Sequence, residues 1–177
     1  MGNFVEIKLT GLEGVSEMLR NLPAEINKRG GPAKKALRKG AVVIRKAEIT
    51  NLKAVTFING LLGSESTGLL AKNIIVSRGK PAMDGERYLV RIRRKTYPRN
   101  GGKAVTTLKT AQLLEYGSSQ QPAEPWIRPA FQSKAEEAIR TVEKELLSEI
   151  DRITKQLMRA PQPVVKYRFD ENGATFG

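Results

Sequence analysis

The chain has 177 residues, 40% of them apolar, with 31 Lys or Arg against 18 Asp or Glu and neither cysteine nor histidine. That length suits one folding unit, here expected over residues 1–160, with an extension over 161–177 left over. The missing residue types remove disulfides, thiolate nucleophiles, imidazole acid–base chemistry and nearly all transition-metal sites, so no catalytic residue, metal ligand or cofactor is expected.

No apolar run approaches the roughly 18 to 20 residues that a bilayer requires. The start, MGNFVEIKL, lacks the basic, apolar and small-residue regions of a signal peptide, and its sixth position is not the Ser or Thr of a myristoylation signal. A soluble protein made in the cytoplasm is expected. The formal charge of +13 is unevenly placed: residues 1–110 hold 22 basic and 8 acidic side chains, residues 111–177 hold 9 and 10. Such a field favours polyanions, nucleic acid above all, although many basic proteins use it only for solubility.

In chain order, Val5, Ile7 and Leu9 alternate with charged residues over 4–9, the period of a half-buried strand. A short helix follows from about Leu12 to Leu22, with Val15, Leu19 and Leu22 on one face and Pro23 as its stop. Pro32 then sits where a first-turn proline is tolerated, and a long helix runs to about Leu52 or beyond. Leu37, Ala41, Ile44 and Ala47 form its expected inner face, leaving Lys34, Lys35, Arg38, Lys39, Arg45 and Lys46 outside. Residues 59–68 are rich in Gly and Ser and read as a loop, from which Thr67-Gly68-Leu69 opens a helical turn. Ile74-Ile75-Val76 reads as a strand. Residues 83–86 supply a hairpin turn, and Tyr88, Val90 and Ile92 alternate with Arg87, Arg91 and Arg93 in the returning strand.

Residues 97–110 look like a long basic loop. Leu113-Leu114-Glu115-Tyr116 is compatible with a strand or a turn, since four residues do not resolve a period. From about Pro129 to Met158 apolar residues recur at three- and four-residue steps, from Ala135 and Ile139 to Ile153 and Leu157, and Pro161 ends this amphipathic helix. Val165, Tyr167 and Phe169 alternate once more in the final segment, which is expected either to fold back or to act as an extended arm onto a neighbouring subunit.

Four features invite a functional reading. Residues 63–68 have the glycine spacing of a phosphate loop, but Leu69 and Leu70 stand where Lys and Ser or Thr would hold the phosphate, so nucleotide binding is set aside. The glutamates of the last helix have basic neighbours at pairing distance, as in Glu136 with Arg140 and Asp151 with Lys155, and read as a solvated face. The cluster Arg91, Arg93, Arg94, Lys95 and Arg99, with Lys103 and Lys109 close by, is the candidate phosphate-facing surface; a plain solvated strand face is its alternative. Trp126, between Pro125 and Pro129, either anchors the last helix in the core or contributes to a subunit contact with Arg128 and Phe131.

Several pieces in this order resemble a family of neck proteins of long-tailed double-stranded DNA bacteriophages, the head-to-tail joining or tail-completion proteins. They are Gly11-Leu12-Glu13-Gly14 with Leu22-Pro23; Lys35-Ala36-Leu37-Arg38-Lys39-Gly40-Ala41; Ser66-Thr67-Gly68-Leu69-Leu70; and Leu114-Glu115-Tyr116-Gly117-Ser118-Ser119 followed by Pro122-Ala123-Glu124-Pro125-Trp126-Ile127-Arg128-Pro129-Ala130-Phe131. The resemblance spans roughly residues 8–158. It implies an α+β fold, a long helix in the N-terminal half and a long C-terminal helix against an antiparallel sheet. It also implies a non-enzymatic subunit of a homo-oligomeric ring, by family a hexamer, at the head-proximal end of the tail. Its implied partners are the tail terminator or tail tube protein, the head connector proteins and the genome DNA passing through the ring, with localisation in the virion and no membrane.

On this reading Arg91, Arg93, Arg94, Lys95, Arg99 and Lys103 would face the DNA channel, and Trp126, Arg128, Phe131, Val165, Tyr167 and Phe169 would lie at subunit contacts. Residues 115–117 would end the sheet, 118–124 would be an exposed crossing and 125–129 would lock the entry angle of the last helix; replacing Trp126 by Ala would give a soluble monomer unable to build rings. Two alternatives stay open, a tail terminator or head-side adaptor of the same neck and a basic protein binding double-stranded nucleic acid.

Overall fold

The computed structural model describes residues 31–61, 67–80, 86–98 and 104–159, together with two short strands near the C-terminus. The elements expected over 4–9 and 12–22 lie outside the described residues, as do the hairpin turn at 83–85, Arg99, Lys103, Val165 and Tyr167.

Helix α1 spans Gly31–Leu61, longer than its expected minimum. Pro32 is buried in its first turn, where a missing N–H costs nothing. Its buried stripe is Ala36, Gly40, Ile44, Glu48 and Leu52, a repeat of four along one face. The expected face was therefore displaced by about one residue: Leu37, Ala41 and Ala47 are only partly buried. The reason is the neighbouring helix. A Cβ added at Gly40 would lie 2.5 Å from Val142 Cγ2 and 3.1 Å from the Ala138 carbonyl oxygen, so the smallest residues turn inward where the two backbones come closest.

A short helix α2, Leu69–Lys72, leads into strand β1, Ile74–Arg78, which pairs antiparallel with β2, Tyr88–Ile92, in the register Ile74↔Ile92 to Arg78↔Tyr88. Asn73 joins α2 to β1; its side-chain amide donates to the Leu69 carbonyl at 2.8 Å. Helix α3, Thr107–Tyr116, comes next. It corrects the readings of 113–116 as a strand or turn and of 115–117 as the end of the sheet: Glu115 and Tyr116 end a helix. Gly117, at φ +74°, caps it through an N–H bond to the Leu113 carbonyl, and a Cβ there would press within 3 Å of the Ala123 nitrogen and the Gln121 carbonyl oxygen.

Helix α4, Ile127–Arg159, runs antiparallel along α1, with Lys35 paired to Glu149 and Lys39 to Glu145. Those pairs account for two of the lysines expected to be merely solvated. Arg45, expected outside, is partly buried and donates through Nε to the Ile74 carbonyl at 2.6 Å, tying α1 to β1. The i,i+4 pairs Glu136–Arg140 and Asp151–Lys155 form as expected.

The architecture is α+β, an antiparallel sheet packed against long helices. Leu52, Leu70, Ile74, Ala111, Leu114 and Trp126 make the main core, with Val90, Ile92 and Ile127 packed around it. Ala36, Val142 and Leu146 make a second core between the helices. Strands β3, Phe169–Asp170, and β4, Gly173–Ala174, form a small antiparallel pair.

Candidate phosphate-facing strand and the lock at the start of α4

Strand β2 and its continuation carry Arg91, Arg93, Arg94 and Lys95, all exposed. Among the described residues none of the four forms an ion pair with a carboxylate, whereas Arg78 on the partner strand is held by Glu86. The backbone under them is fixed. Thr107, fully buried at the start of α3, donates from Oγ1 to the Arg93 carbonyl at 2.7 Å and accepts from the Lys95 N–H at 3.0 Å, while its own N–H donates to the Lys95 carbonyl at 2.8 Å. Tyr97 N–H donates to the Val105 carbonyl at 3.0 Å, and Thr96 bridges Thr106. Part of the expected 97–110 loop is therefore a paired ladder that feeds directly into a helix. Unpaired cations on an ordered backbone suit contact with phosphate, which needs charge at fixed spacing and little else.

The residues expected at a subunit contact sit differently. Trp126 has 0% exposure and packs with Leu52, Ile74 and Leu114, so its side chain has no surface to offer a second subunit; this corrects the contact role and leaves the core anchor. Its indole N–H is buried without an acceptor among the described residues. Phe131 is partly buried and Arg128 about half exposed.

Trp126 sits in the expected lock at residues 125–129, and the acid that closes that lock is one that residue patterns did not reveal. Glu115, 2% exposed, points its carboxylate at the first turn of α4. Oε2 accepts from the backbone N–H groups of Trp126 and Ile127 at 2.8 and 2.9 Å; Oε1 accepts from the backbone N–H of Arg128 at 3.2 Å and from its Nε at 3.0 Å. A helix start leaves its first N–H groups unsatisfied and carries partial positive charge. Glu115 thus supplies from eleven residues away what a capping Ser or Asp ordinarily supplies locally. Burial on its own would raise the Glu115 carboxyl, but the bonds from Ile127, Trp126 and Arg128 outweigh it and hold the group below the ordinary carboxylate range. The Arg128 guanidinium also lies 5.3 Å from the centre of the Tyr116 ring, and Asn51 Nδ2 donates to the Trp126 carbonyl at 3.2 Å.

The chain between the two halves of the lock is equally determined. The Ser118 N–H donates to the Gln121 carbonyl, the Ser118 hydroxyl accepts from the Gln120 and Gln121 N–H groups, and the Glu124 N–H donates to the Leu114 carbonyl at 2.7 Å. A glutamate three residues ahead of a Ser-Ser turn, with a Pro-Trp-Ile-Arg-Pro helix start beyond, was the available signal. It required recognising a capping acid outside the usual three-residue window.

Close by in the core is a second carboxylate. Glu48 of α1 is 6% exposed and has no hydrogen-bond partner among the described residues; burial, then the nearby Glu115 charge, push it up to about 7.

Comparison with models of known protein families, with curated proteins and with solved structures found no match. Among the described residues no helix is long and apolar enough to cross a membrane.

Proposed function

We propose that this chain is a structural subunit of the neck of a long-tailed DNA bacteriophage. It would form a homo-oligomeric ring at the head-proximal end of the tail, complete the tail and join it to the head connector around the DNA channel. The observation that carries this reading is the lock. The Leu114–Ser119 and Pro122–Phe131 pieces that resemble the neck family are one physical unit, joined by the Glu115 carboxylate at the start of α4. Such a unit fixes the direction of a long helix against a sheet, which suits a subunit that must present faces at a set angle.

The exposed row Arg91, Arg93, Arg94 and Lys95 supports a place for these residues beside genome DNA. The same row favours a second reading, a protein that binds duplex DNA as an isolated chain. The native mass of the purified chain, measured across concentration and salt with and without duplex DNA, separates the two. Ring-sized particles, or a monomer that assembles only with tail tube or connector proteins, support the neck reading. A monomer or dimer that binds duplex tightly at low salt and never assembles supports the second and overturns the first.

A further inference from the structure

The pairing of β1 with β2 leaves a long edge open. The Arg93 N–H donates to the Asn73 carbonyl and the Gly79 N–H to the Arg87 carbonyl, so with the observed register the odd-numbered residues of β2 exchange bonds with β1. Lys95 and Tyr97, again odd, turn to the same side and pair with Thr107 and Val105. The backbone groups of Tyr88, Val90, Ile92, Arg94 and Thr96 therefore point the other way. Among the described residues nothing pairs with them. Within β2 this edge covers Tyr88 to Ile92, five residues or about 17 Å, and the chain runs on to the Thr96 bridge. The outer edge of β1 is equally long, but Arg45 already occupies its Ile74 carbonyl. An unprotected edge of that length invites pairing with other chains, and natural proteins cover such edges.

We infer that this edge takes Phe4–Leu9 of the same chain as a third strand. Two segments outside the described residues have the required alternation, Phe4–Leu9 and Val164–Phe169, and side-chain charge separates them. On β2 the core-facing row is Tyr88, Val90 and Ile92, and the opposite row is Leu89, Arg91 and Arg93. With Val5, Ile7 and Leu9 turned to the core, Phe4, Glu6 and Lys8 join the opposite row, where Glu6 meets the unpaired arginines. With Val165, Tyr167 and Phe169 turned to the core, Lys166 and Arg168 would join the arginine row, and like charges on neighbouring strands repel. Reach agrees: more than twenty residues separate Leu9 from the start of α1, ample to return to a sheet that packs on the same helix.

Filling this edge bears on the proposed ring without depending on it. Subunit contacts would not run through strand addition at β2, and the row that faces phosphate would gain Glu6 and Lys8, leaving its net charge unchanged.

Amide hydrogen exchange on the full chain tests the assignment. The Tyr88, Val90 and Ile92 amides are expected to be protected at a level unchanged by dilution, and removal of residues 1–10 should speed their exchange at least tenfold. Leu89 and Arg91, bonded to β1, should stay slow. The variant Glu6→Lys, which keeps the whole chain should the deletion unfold it, is expected to cost several-fold protection at Val90 and Ile92. Fast exchange at these amides in the full chain, protection that vanishes on dilution, protection indifferent to Glu6→Lys, or protection lost only on removing residues 160–177 would each overturn it.

Discussion

The start of α4 and the end of β2 handle charge in opposite ways. At the start of α4 the Glu115 carboxylate is buried and saturated with donors, and at the end of β2 four cations are exposed and without carboxylate partners. In the first region charge serves the fold, since the Trp126 and Ile127 N–H groups would otherwise be left unsatisfied at a buried helix start. In the second it adds nothing visible to stability and is available to a partner.

The sharpest way to break this contrast is to empty the lock. Trp126→Ala removes the largest fully buried side chain and is expected to cost about 3 to 5 kcal/mol. Urea unfolding should show this as a large fall in midpoint, an effect on the fold and not on assembly alone. Glu115→Ala should cost about 2 to 4 kcal/mol, because it strands the Trp126 and Ile127 N–H groups and leaves Arg128 unpaired. Exchange at those two amides should accelerate before global unfolding.

Glu48 and Glu115 give the pair opposite pH dependence. The Glu48 carboxyl titrates near 7 in the fold against 4.5 ordinarily, so its contribution is complete below about 4.5 and is lost as pH rises through about 7. Glu115 is held low, so its contribution is present above about 4.5 and is lost as pH falls through its lowered value. Glu48→Gln is therefore expected to stabilise the protein at pH 8 by about 1 to 3 kcal/mol and to have little effect at pH 5. Thermal midpoints at the two pH values measure the difference; an equal shift at both would contradict the assignment.

The smallest stability effect belongs to the basic row. Replacing Arg91, Arg93 and Arg94 together by Ala should change the unfolding free energy by less than about 0.5 kcal/mol per site. If these residues touch phosphate, the same variant should reduce the slope of log binding constant against log salt by about 0.9 for each phosphate no longer neutralised.

What could be read from residues alone follows from how far each determinant reaches. Long helices and an alternating hairpin repeat their signal over many positions, and α4, β1 and β2 fell where their periods put them. Helix α3 did not, because Thr106 and Thr107 start it inside a stretch rich in Gly and Lys, and its apolar residues are too few to show a period. The displaced stripe of α1 was set by Gly40 meeting α4, a fact about the partner and not about α1. The acid that closes the lock was hidden for the same reason. Glu115 reads as one more glutamate until the chain has turned at Gly117 and brought the start of α4 back to it.

The pairing of Lys39 with Glu145 also fixes how far the chain's end is carried away. Counting along the antiparallel helices, Arg45, which ties α1 to β1, stands level with about Ile139. Arg159 is twenty residues further on, about 30 Å along the axis. The far end of α4 therefore stands well clear of the level at which Arg45 ties α1 to β1, and the paired helices extend past the sheet as a lever.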